Sequence, residues 1–570
     1  MSKNLVARQL KNLPADHTLL TLLTQARAEG PLTEATIDQL AEAHHLPPAW
    51  IRATAEFYDT LSPGADQHRV QLCQGEACRG AEKKGLRERL RQESGQPVGR
   101  VTCVGLCAHA PAMLMDGEPL SLAPDGAVTA LIDYLNGGDP LTLTPPITNH
   151  YLQPQPLVQQ LIPAFLPNKT EDALVDEVVR IVQSVVDQHT PASVRRQIAI
   201  SQLRGRGGAG FPMAQKLEMV AAAPVKEGAG GRYVVINGDE GDAGSYIDKA
   251  LMEDAPHLVL AGGLLTAYGV GAKGLYLYVR HEYPQSWRSM SRIVHGVQAL
   301  LPLKGRQGGV DCTLHLVKGQ GAYVCGEETS LLRSIEGLPP QVSVRPPYPA
   351  QEGLYGCPTA VQNVETVCNL PTLFAQGADR YAATGTEKSR GTKLISLNSA
   401  VQRPGLYEAP FGTPIRTIIE VWAGGVPAGR QIQGVQIGGP LGAILPPELL
   451  DTPLSFEHLA AVGGTLGHGS MVVFDDRVDL LTIAHGIFAF GARESCGKCF
   501  PCRLGSVRGE ELLRQMYQSG INPDNVQRLQ GLCETLREGS LCGLGGMLPT
   551  AVESLIRFFP ALWFIDGEES

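Results

Sequence analysis

Near the C-terminal end, the segment ESCGKCFPCRLG sets Cys496, Cys499 and Cys502 at a CxxCxxC spacing, and SLCGLG adds Cys542 forty residues after the last of them. A four-iron cubane needs four thiolates around a compact inorganic core, and a two-residue stride lets three sulfurs converge while the backbone turns around them. The fourth ligand must come from elsewhere in the chain. Zinc takes the same soft donors, but a zinc ribbon pairs two separated CxxC knuckles instead of one triple run.

A second quartet lies toward the other end, where LCQGEACRG supplies Cys73 and Cys78 and VTCVGLCAHAP supplies Cys103 and Cys107. Steps of Cx4C and Cx3C are looser than a zinc knuckle and suit a flat two-iron rhomb, each iron held by its own pair of sulfurs. Disulfides are the alternative, although nothing else marks the chain as exported. Around these cysteines the pattern alternates strand, helix, strand, as in a thioredoxin-like unit. The remaining Cys312, Cys325, Cys357, Cys368 and Cys533 are odd in number, which fits reduced thiols.

A chain of 570 residues should divide into several domains. Residues 1–62 read as a helical bundle, with Thr33 a cap and Thr36 standing where a fuller capping box carries an acid. Residues 63–140 form the two-iron unit, and the proline-rich 141–170 segment a linker. Residues 171–388 alternate buried strands (RYVVIN, GLYLYVR, TLHLVKG) with helices, which predicts an α/β domain. Residues 389–472 are rich in strands and glycine, and residues 473–570 are helical around the cubane ligands. The fold class expected is therefore multidomain α/β and α+β. The longest apolar run, LVLAGGLLTAYGVGA, is too short and glycine-rich to span a bilayer, and the first residues lack an apolar leader core, so a cytoplasmic location is expected. With 48 basic against 57 acidic residues and no basic tract, nucleic acid is excluded as a partner.

Nucleotide chemistry is signalled in the large α/β domain. LRGRGGAGFPMAQK gives a GxGxxG at Gly205, Gly207 and Gly210, whose bare backbone lets N–H groups approach a phosphate. No strand obviously precedes it and no acid follows about twenty positions on, so an ordinary dinucleotide fingerprint is not expected. NGDEGDAG places Asn237, Asp239, Glu240 and Asp242 just after a strand, where sheet ligands bind. GAYVCGEETSLLRSIEG sets Glu327 and Glu328 after another; either segment alone also reads as a capped helix start.

In order and spacing, GRGGAGFP, NGDEGDAG, GAYVCGEETSLLRSIEG, GCPTAVQNVET and ESCGKCFPC resemble the flavin-bearing subunit of respiratory complex I and its relatives, over roughly residues 196–560. The preceding stretch is similar to the thioredoxin-like two-iron subunit of the same complexes, here fused in one chain. The resemblance implies a Rossmann-like domain holding FMN and NADH, a β-grasp domain, and a helical bundle with the cubane. It implies that the glycine loop (Gly205, Arg206, Gly207, Gly208, Gly210) and Lys216 cradle the FMN phosphate. Asn237, Asp239, Glu240, Gly326, Asn363 and Thr366 would hold the rest of the flavin. Phe211, Asp242, Glu328, Arg345 and Tyr348 fall where relatives contact NADH, with Glu327 and Tyr323 beside them. Asp242 and Ala243 replace a Glu-Pro pair, Tyr348 a phenylalanine, Arg345 a lysine and Gln362 the first of two asparagines. NAD is the expected nucleotide, because an acid near the ribose repels a 2′-phosphate.

The cofactors imply the mechanism. Nicotinamide exchanges a hydride whereas an iron–sulfur cluster accepts one electron, so FMN has to stand between them. No side chain need act as acid, base or nucleophile, and His109, His257, His281 and the other histidines are expected to be structural. No pterin, nickel–iron or quinone site is visible, so electrons should pass to or from a separate catalytic subunit. Fusion of the two-iron and flavin units resembles the β subunit of NAD-linked, molybdenum- or tungsten-dependent formate dehydrogenases. The diaphorase subunit of NAD-reducing hydrogenases is the next expectation, and complex I the third. A non-redox scaffold of zinc knuckles leaves the flavin-like loops unexplained.

Overall fold

The computed structural model describes residues 18–62, 68–82, 85–138, 151–152, 161, 170–225 and 230–563. Most of the expected 141–170 linker and the first 17 residues lie outside the described residues.

Three short helices come first, Leu19–Glu29, Glu34–His44 and Pro48–Phe57. Thr18 caps the first by accepting from the Thr21 N–H at 3.1 Å. Thr33 and Thr36 close a reciprocal capping box on the second, the Thr36 hydroxyl taking the place of the usual carboxylate. Proline opens the third, where its missing N–H costs nothing. Leu19, Leu23, Ile37, Ile51 and Tyr58 pack on Val235, Tyr278 and Val361, so the bundle covers one face of the large parallel sheet. The Tyr58 hydroxyl donates to Ser334 Oγ at 3.0 Å and pins it there.

Next comes a four-stranded sheet of order β2-β1-β3-β4, from β1 (Val70–Cys73), β2 (Val98–Val101), β3 (Ala112–Met115) and β4 (Glu118–Ser121). β1 and β2 are parallel across helices Glu76–Ala81 and Leu86–Ser94, and the other pairs are antiparallel. This is the thioredoxin-like alternation read from the sequence. A two-residue strand, β5 (Tyr151–Leu152), later joins the third sheet.

The large sheet is wholly parallel, of order β10-β7-β6-β11, with β6 (Tyr233–Gly238), β7 (Gly274–Val279), β10 (Thr313–Lys318) and β11 (Thr359–Asn363); β8 (Leu303–Gly305) and β9 (Gly308–Val310) form a separate hairpin. Parallel sheets are covered on both faces, and helix Pro256–Val270 supplies part of the second cover with every residue buried. Its glycines permit the close approach: a Cβ on Gly262 would stand 2.0 Å from the Val367 carbonyl oxygen. The apolar run of the sequence is thus a core helix, and among the described residues no helix is long and apolar enough to cross a membrane. β10 departs from the expected buried strand. Among the described residues it forms one edge of the sheet, pairs only with β7, and is half-buried.

A mixed sheet of order β15-β14-β16-β12-β13-β5 follows, from β12 (Thr392–Leu397), β13 (Gly405–Pro410), β14 (Ile432–Ile437), β15 (Ile444–Leu445) and β16 (Ser470–Asp475). β12 and β16 run parallel at its centre, flanked by antiparallel β13 and β14, which is the β-grasp order. Helices Leu480–Glu494, Phe500–Ser519, Pro523–Gly539, Gly543–Met547 and Thr550–Phe558 complete the chain.

Candidate functional site

β6 and β11 end beside a cavity of about 700 Å³ that Asn237 and Asn363 line, at the carboxyl edge of the parallel sheet where ligands of such sheets bind. The glycine loop forms part of it. Hydrogen bonds from Gly205 N to Phe211 O (2.9 Å) and from Met213 N to Leu203 O (3.0 Å) pinch the loop at its base. Arg206 N donates to Thr366 Oγ1 at 2.8 Å, which ties it to helix Val364–Gln376. Gly207 is needed for the fit, since a Cβ there would stand 2.9 Å from Asn363 Cβ. The loop runs into helix Met213–Ala222, whose cap, Pro212, has no side-chain acceptor. Asn363 caps the other helix through the Thr366 N–H at 3.1 Å. Two helix N-termini and a glycine loop therefore converge on one end of the cavity, with the arrangement of an anion cradle.

Further in, Asn237 Nδ2 donates to Gly326 O at 2.9 Å and Asn237 Oδ1 accepts from Asp239 N at 3.0 Å. Asp239 lines the cavity, and its Oδ2 is buried without a hydrogen-bond partner. Burial pushes its carboxyl well above the ordinary aspartate range. An unmet buried acceptor costs about 1–3 kcal/mol, which a hydroxyl-bearing ligand would remove. Asp242 lies beyond it, its carboxyl raised chiefly by burial and its Oδ1 accepting the Tyr323 hydroxyl at 2.6 Å.

The outer part carries a charged ring and apolar faces. Glu327 caps helix Glu328–Ile335 by accepting from the N–H groups of Thr329 (2.9 Å) and Ser330 (3.0 Å). Arg345 pairs with Glu327 and lies 3.3 Å from Glu328, and Lys216 Nζ stands 3.4 Å from Glu328 and 3.0 Å from Val361 O. Phe211, Val344 and Tyr348 line the same region and remain 40%, 61% and 48% exposed. Exposed flat rings in a cavity offer stacking surfaces to planar ligands.

Both cysteine quartets gather. The thiols of Cys73 and Cys78, Cys73 and Cys103, and Cys103 and Cys107 are hydrogen-bonding neighbours, and all four residues are buried. At the other end, Cys502 is within electrostatic reach of Cys496, Cys499 and Cys542, and burial lifts its thiol to about 11. Metal coordination would hold it as thiolate. Cys499 and Cys542 stand at the N-cap positions of helices Phe500–Ser519 and Gly543–Met547, so helix starts present both thiols.

The two sites flank the cavity. Cys542 lines it directly. On the other side the 241–244 loop serves both: Gly241 and Asp242 line the cavity, while the Gly244 N–H donates to Cys107. Glu494, which nearly adjoins Cys496 in the chain, accepts from Thr102 Oγ1 at 2.5 Å and from Tyr323 N at 2.9 Å. One carboxylate thereby binds the two-iron loop, the cavity and the four-iron segment together.

Of the residues expected from the sequence, Gly205, Gly207, Gly210, Phe211, Lys216, Asn237, Asp239, Asp242, Tyr323, Gly326, Glu327, Glu328, Arg345, Tyr348, Asn363 and Thr366 line this cavity. Arg206, Gly208 and Glu240 stand outside it. The Glu240 carboxylate is engaged at the start of helix Ile247–Asp254, accepting from Ile247 N (2.7 Å), Asp248 N (3.1 Å) and Lys249 N (3.0 Å). The fully buried Arg206 side chain binds the Tyr381 hydroxyl at 2.9 Å and the Arg390 carbonyl at 2.7 Å. Sequence reasoning missed Asp248, Leu441 and His468, which also line the cavity. His468, expected with the other histidines to be structural, is thus placed at the cavity wall.

Comparison with known proteins agrees with this geometry. Residues 198–372 match the Nuo51 FMN-binding domain, residues 482–563 the iron-sulfur binding region of NADH-ubiquinone oxidoreductase-F, and residues 6–136 a thioredoxin-like [2Fe-2S] ferredoxin. The chain is 34% identical to the second F-type subunit of the NADH-quinone oxidoreductase of Rhizobium meliloti over 68% of its own length and 92% of that protein's. It is 38% identical to the HndC component of the NADP-reducing hydrogenase of Solidesulfovibrio fructosivorans over 65% and 75% of the two chains. A solved NAD+-reducing [NiFe]-hydrogenase in the H2-reduced state contains a chain that superposes with a TM-score of 0.81 at 32% identity, covering 96% of this chain and 93% of that one. The chain belongs to the NADH-quinone oxidoreductase F-type family of NAD(P)-dependent oxidoreductases, with FMN-binding and 4Fe-4S regions and a thioredoxin-like [2Fe-2S] domain fused ahead of them.

Proposed function

We propose that this chain is the diaphorase subunit of an NAD-linked formate dehydrogenase, exchanging hydride with NAD and electrons with a separate cytoplasmic subunit that carries a molybdenum or tungsten pterin. The observation that carries the electron-transfer part is the position of the cavity: Cys542 lines it, and one short loop separates it from Cys107. Bound FMN supplies the exchange between hydride and single electrons. The chain's residues supply its placement. Backbone donors of the 205–210 loop and Lys216 take the phosphate. Asn237, Asp239, Gly326, Asn363 and Thr366 take the remaining polar groups, and Glu240 holds the adjoining helix start. Phe211 and Tyr348 stack on the nucleotide, which Asp242, Glu328 and Arg345 orient. NAD is preferred to NADP because Arg345 is already engaged by Glu327 and Glu328, so an added phosphate would meet acids instead of a free cation.

Formate as the partner's substrate rests on the resemblance of the fused ferredoxin and flavin units to formate dehydrogenase β subunits, a fusion that the hydrogenase chain matched over 96% of this one shares. A second reading, the diaphorase of an NAD-reducing hydrogenase, is favoured by the whole-length likeness to such a chain. Copurification separates them. Recovery of a molybdenum or tungsten subunit with formate-dependent NAD reduction supports the first, whereas a nickel subunit with hydrogen-dependent NAD reduction replaces it with the second.

Nucleotide placement has its own check. Glu328→Gln removes a charge that Lys216 and Arg345 share, and it should raise the KM for NADH about 10- to 100-fold. Iron content should be unchanged. Parallel loss of iron and turnover would make Glu328 a structural residue.

A further inference from the structure

A buried charge cluster crosses from the parallel-sheet unit to the β12–β16 unit beside the cavity. His468, in the loop before β16, is 7% exposed. Its Nε2 lies 2.9 Å from Asp248 Oδ2 and 3.7 Å from Glu240 Oε1, and Asn363 Nδ2 donates to the same Asp248 oxygen at 2.7 Å. Donor atoms of Glu240, Asp248 and His468 stand within 4.8 Å of one another, close enough for a metal. Other groups already fill them. Glu240 Oε1 accepts from the Ser245 hydroxyl and from the N–H groups of Ile247 and Asp248, and Asp248 Oδ2 takes both Asn363 and His468. The charge these carboxylates need is then a proton on the imidazole.

His468 also lines the cavity, and among the described residues its Nδ1 forms no hydrogen bond. Gly467, its neighbour, packs on the glycine loop, where a Cβ on Gly208 would stand 3.8 Å from Gly467 Cα. Asn363 Nδ2, at the cap of helix Val364–Gln376, is 3.4 Å from His468 Nε2. The imidazolium therefore stands at the end of the cavity where the loop and two helix N-termini converge.

We propose that His468 is a phosphate-binding residue for FMN, reaching from the β-grasp unit to donate from Nδ1 to the cofactor's phosphate. This rests on the flavin reading above. It makes the FMN site a joint property of two units, since the loop, both helix starts and Lys216 come from one and the imidazolium from the other.

The titration supports it with a definite sign. Burial opposes the charge on His468, but the Asp248 and Glu240 carboxylates outweigh burial and the nearby Lys393 ammonium, and its pKa rises to about 9. Asp242, whose buried carboxylate feels the His468 charge, and Glu365, paired with Lys393, are the other charged groups nearby. The cation is present at neutral pH and is lost as pH rises through about 9, whereas a phosphate monoester is doubly charged above about pH 6. FMN affinity should be flat between these limits and fall above the upper one.

FMN and riboflavin titrated into the flavin-depleted full chain test this. His468→Gln should weaken FMN about 10- to 100-fold, leave riboflavin unchanged, and abolish the alkaline fall. Asp248→Asn, which removes the principal support of the charge, should move that fall to lower pH. Wild-type FMN affinity in His468→Gln, equal weakening of both flavins, or an unmoved pH profile in Asp248→Asn would each overturn the proposal. A wild-type chain that binds neither flavin would instead overturn the flavin reading beneath it.

Discussion

Serine in place of Cys542 is expected to leave a chain that still binds FMN and NADH but delivers electrons to its partner at least about a hundredfold more slowly, because a four-iron cube holds poorly on three thiolates. Cys542 is the strongest choice among the four ligands for a geometric reason. It is the member of its quartet that lines the cavity, and it sits at the N-cap of helix Gly543–Met547, where the N–H groups of Leu544 and Gly545 donate to its sulfur. N–H bonds to cluster sulfur set the potential as well as the position. The substitution should remove about four of the roughly six irons and the matching paramagnetic signal of the reduced protein. The two-iron signal should persist, since Cys73, Cys78, Cys103 and Cys107 are held by a different unit. Full iron content with undiminished electron delivery would show that Cys542 is not a ligand and that electrons leave by another route.

The gathering of each cysteine quartet was legible in the sequence because cysteine spacing is itself local: the stride that brings three sulfurs together is written in consecutive residues. Glycine loops and capping residues were legible for the same reason, each being a local backbone property. Contacts made across units were not. Asp248 looks in sequence like an ordinary acid in a helix, and His468 like a histidine between two glycines. They meet only because the β-grasp sheet packs its β16 loop on the 205–210 loop, a relation that no short-range pattern encodes. Glu240 shows the converse limit. An acid just after a strand signals ligand binding and helix capping equally, and here its carboxylate accepts three backbone N–H groups at the start of helix Ile247–Asp254. Edge position is also non-local: TLHLVKG carries the apolar pattern of a central strand, yet among the described residues no strand covers the outer side of β10.

The same unit boundary holds an ion pair whose loss should have the largest effect on stability. Lys393, on β12, and Glu365, at the start of helix Val364–Gln376, pair with neither side chain exposed to solvent. Burial lowers the Lys393 pKa and Glu365 acts to restore it. Lys393 also donates to Leu394 O at 3.0 Å, while Glu365 Oε1 accepts from Leu394 N at 2.9 Å. Lys393→Met removes the cation and leaves a buried carboxylate with that N–H as its remaining support from β12, a change that costs about 3–5 kcal/mol. Unfolding of a multidomain chain is not a single transition, so the effect should be read by hydrogen exchange, as lost protection in β12–β16 with little change in the thioredoxin-like sheet. Adding Glu365→Gln should recover much of the loss, because the amide oxygen still accepts from Leu394 N without a charge to neutralise. If the single variant keeps wild-type protection in β12–β16, the pair does not hold the two units together, and the case for a flavin site shared between them weakens with it.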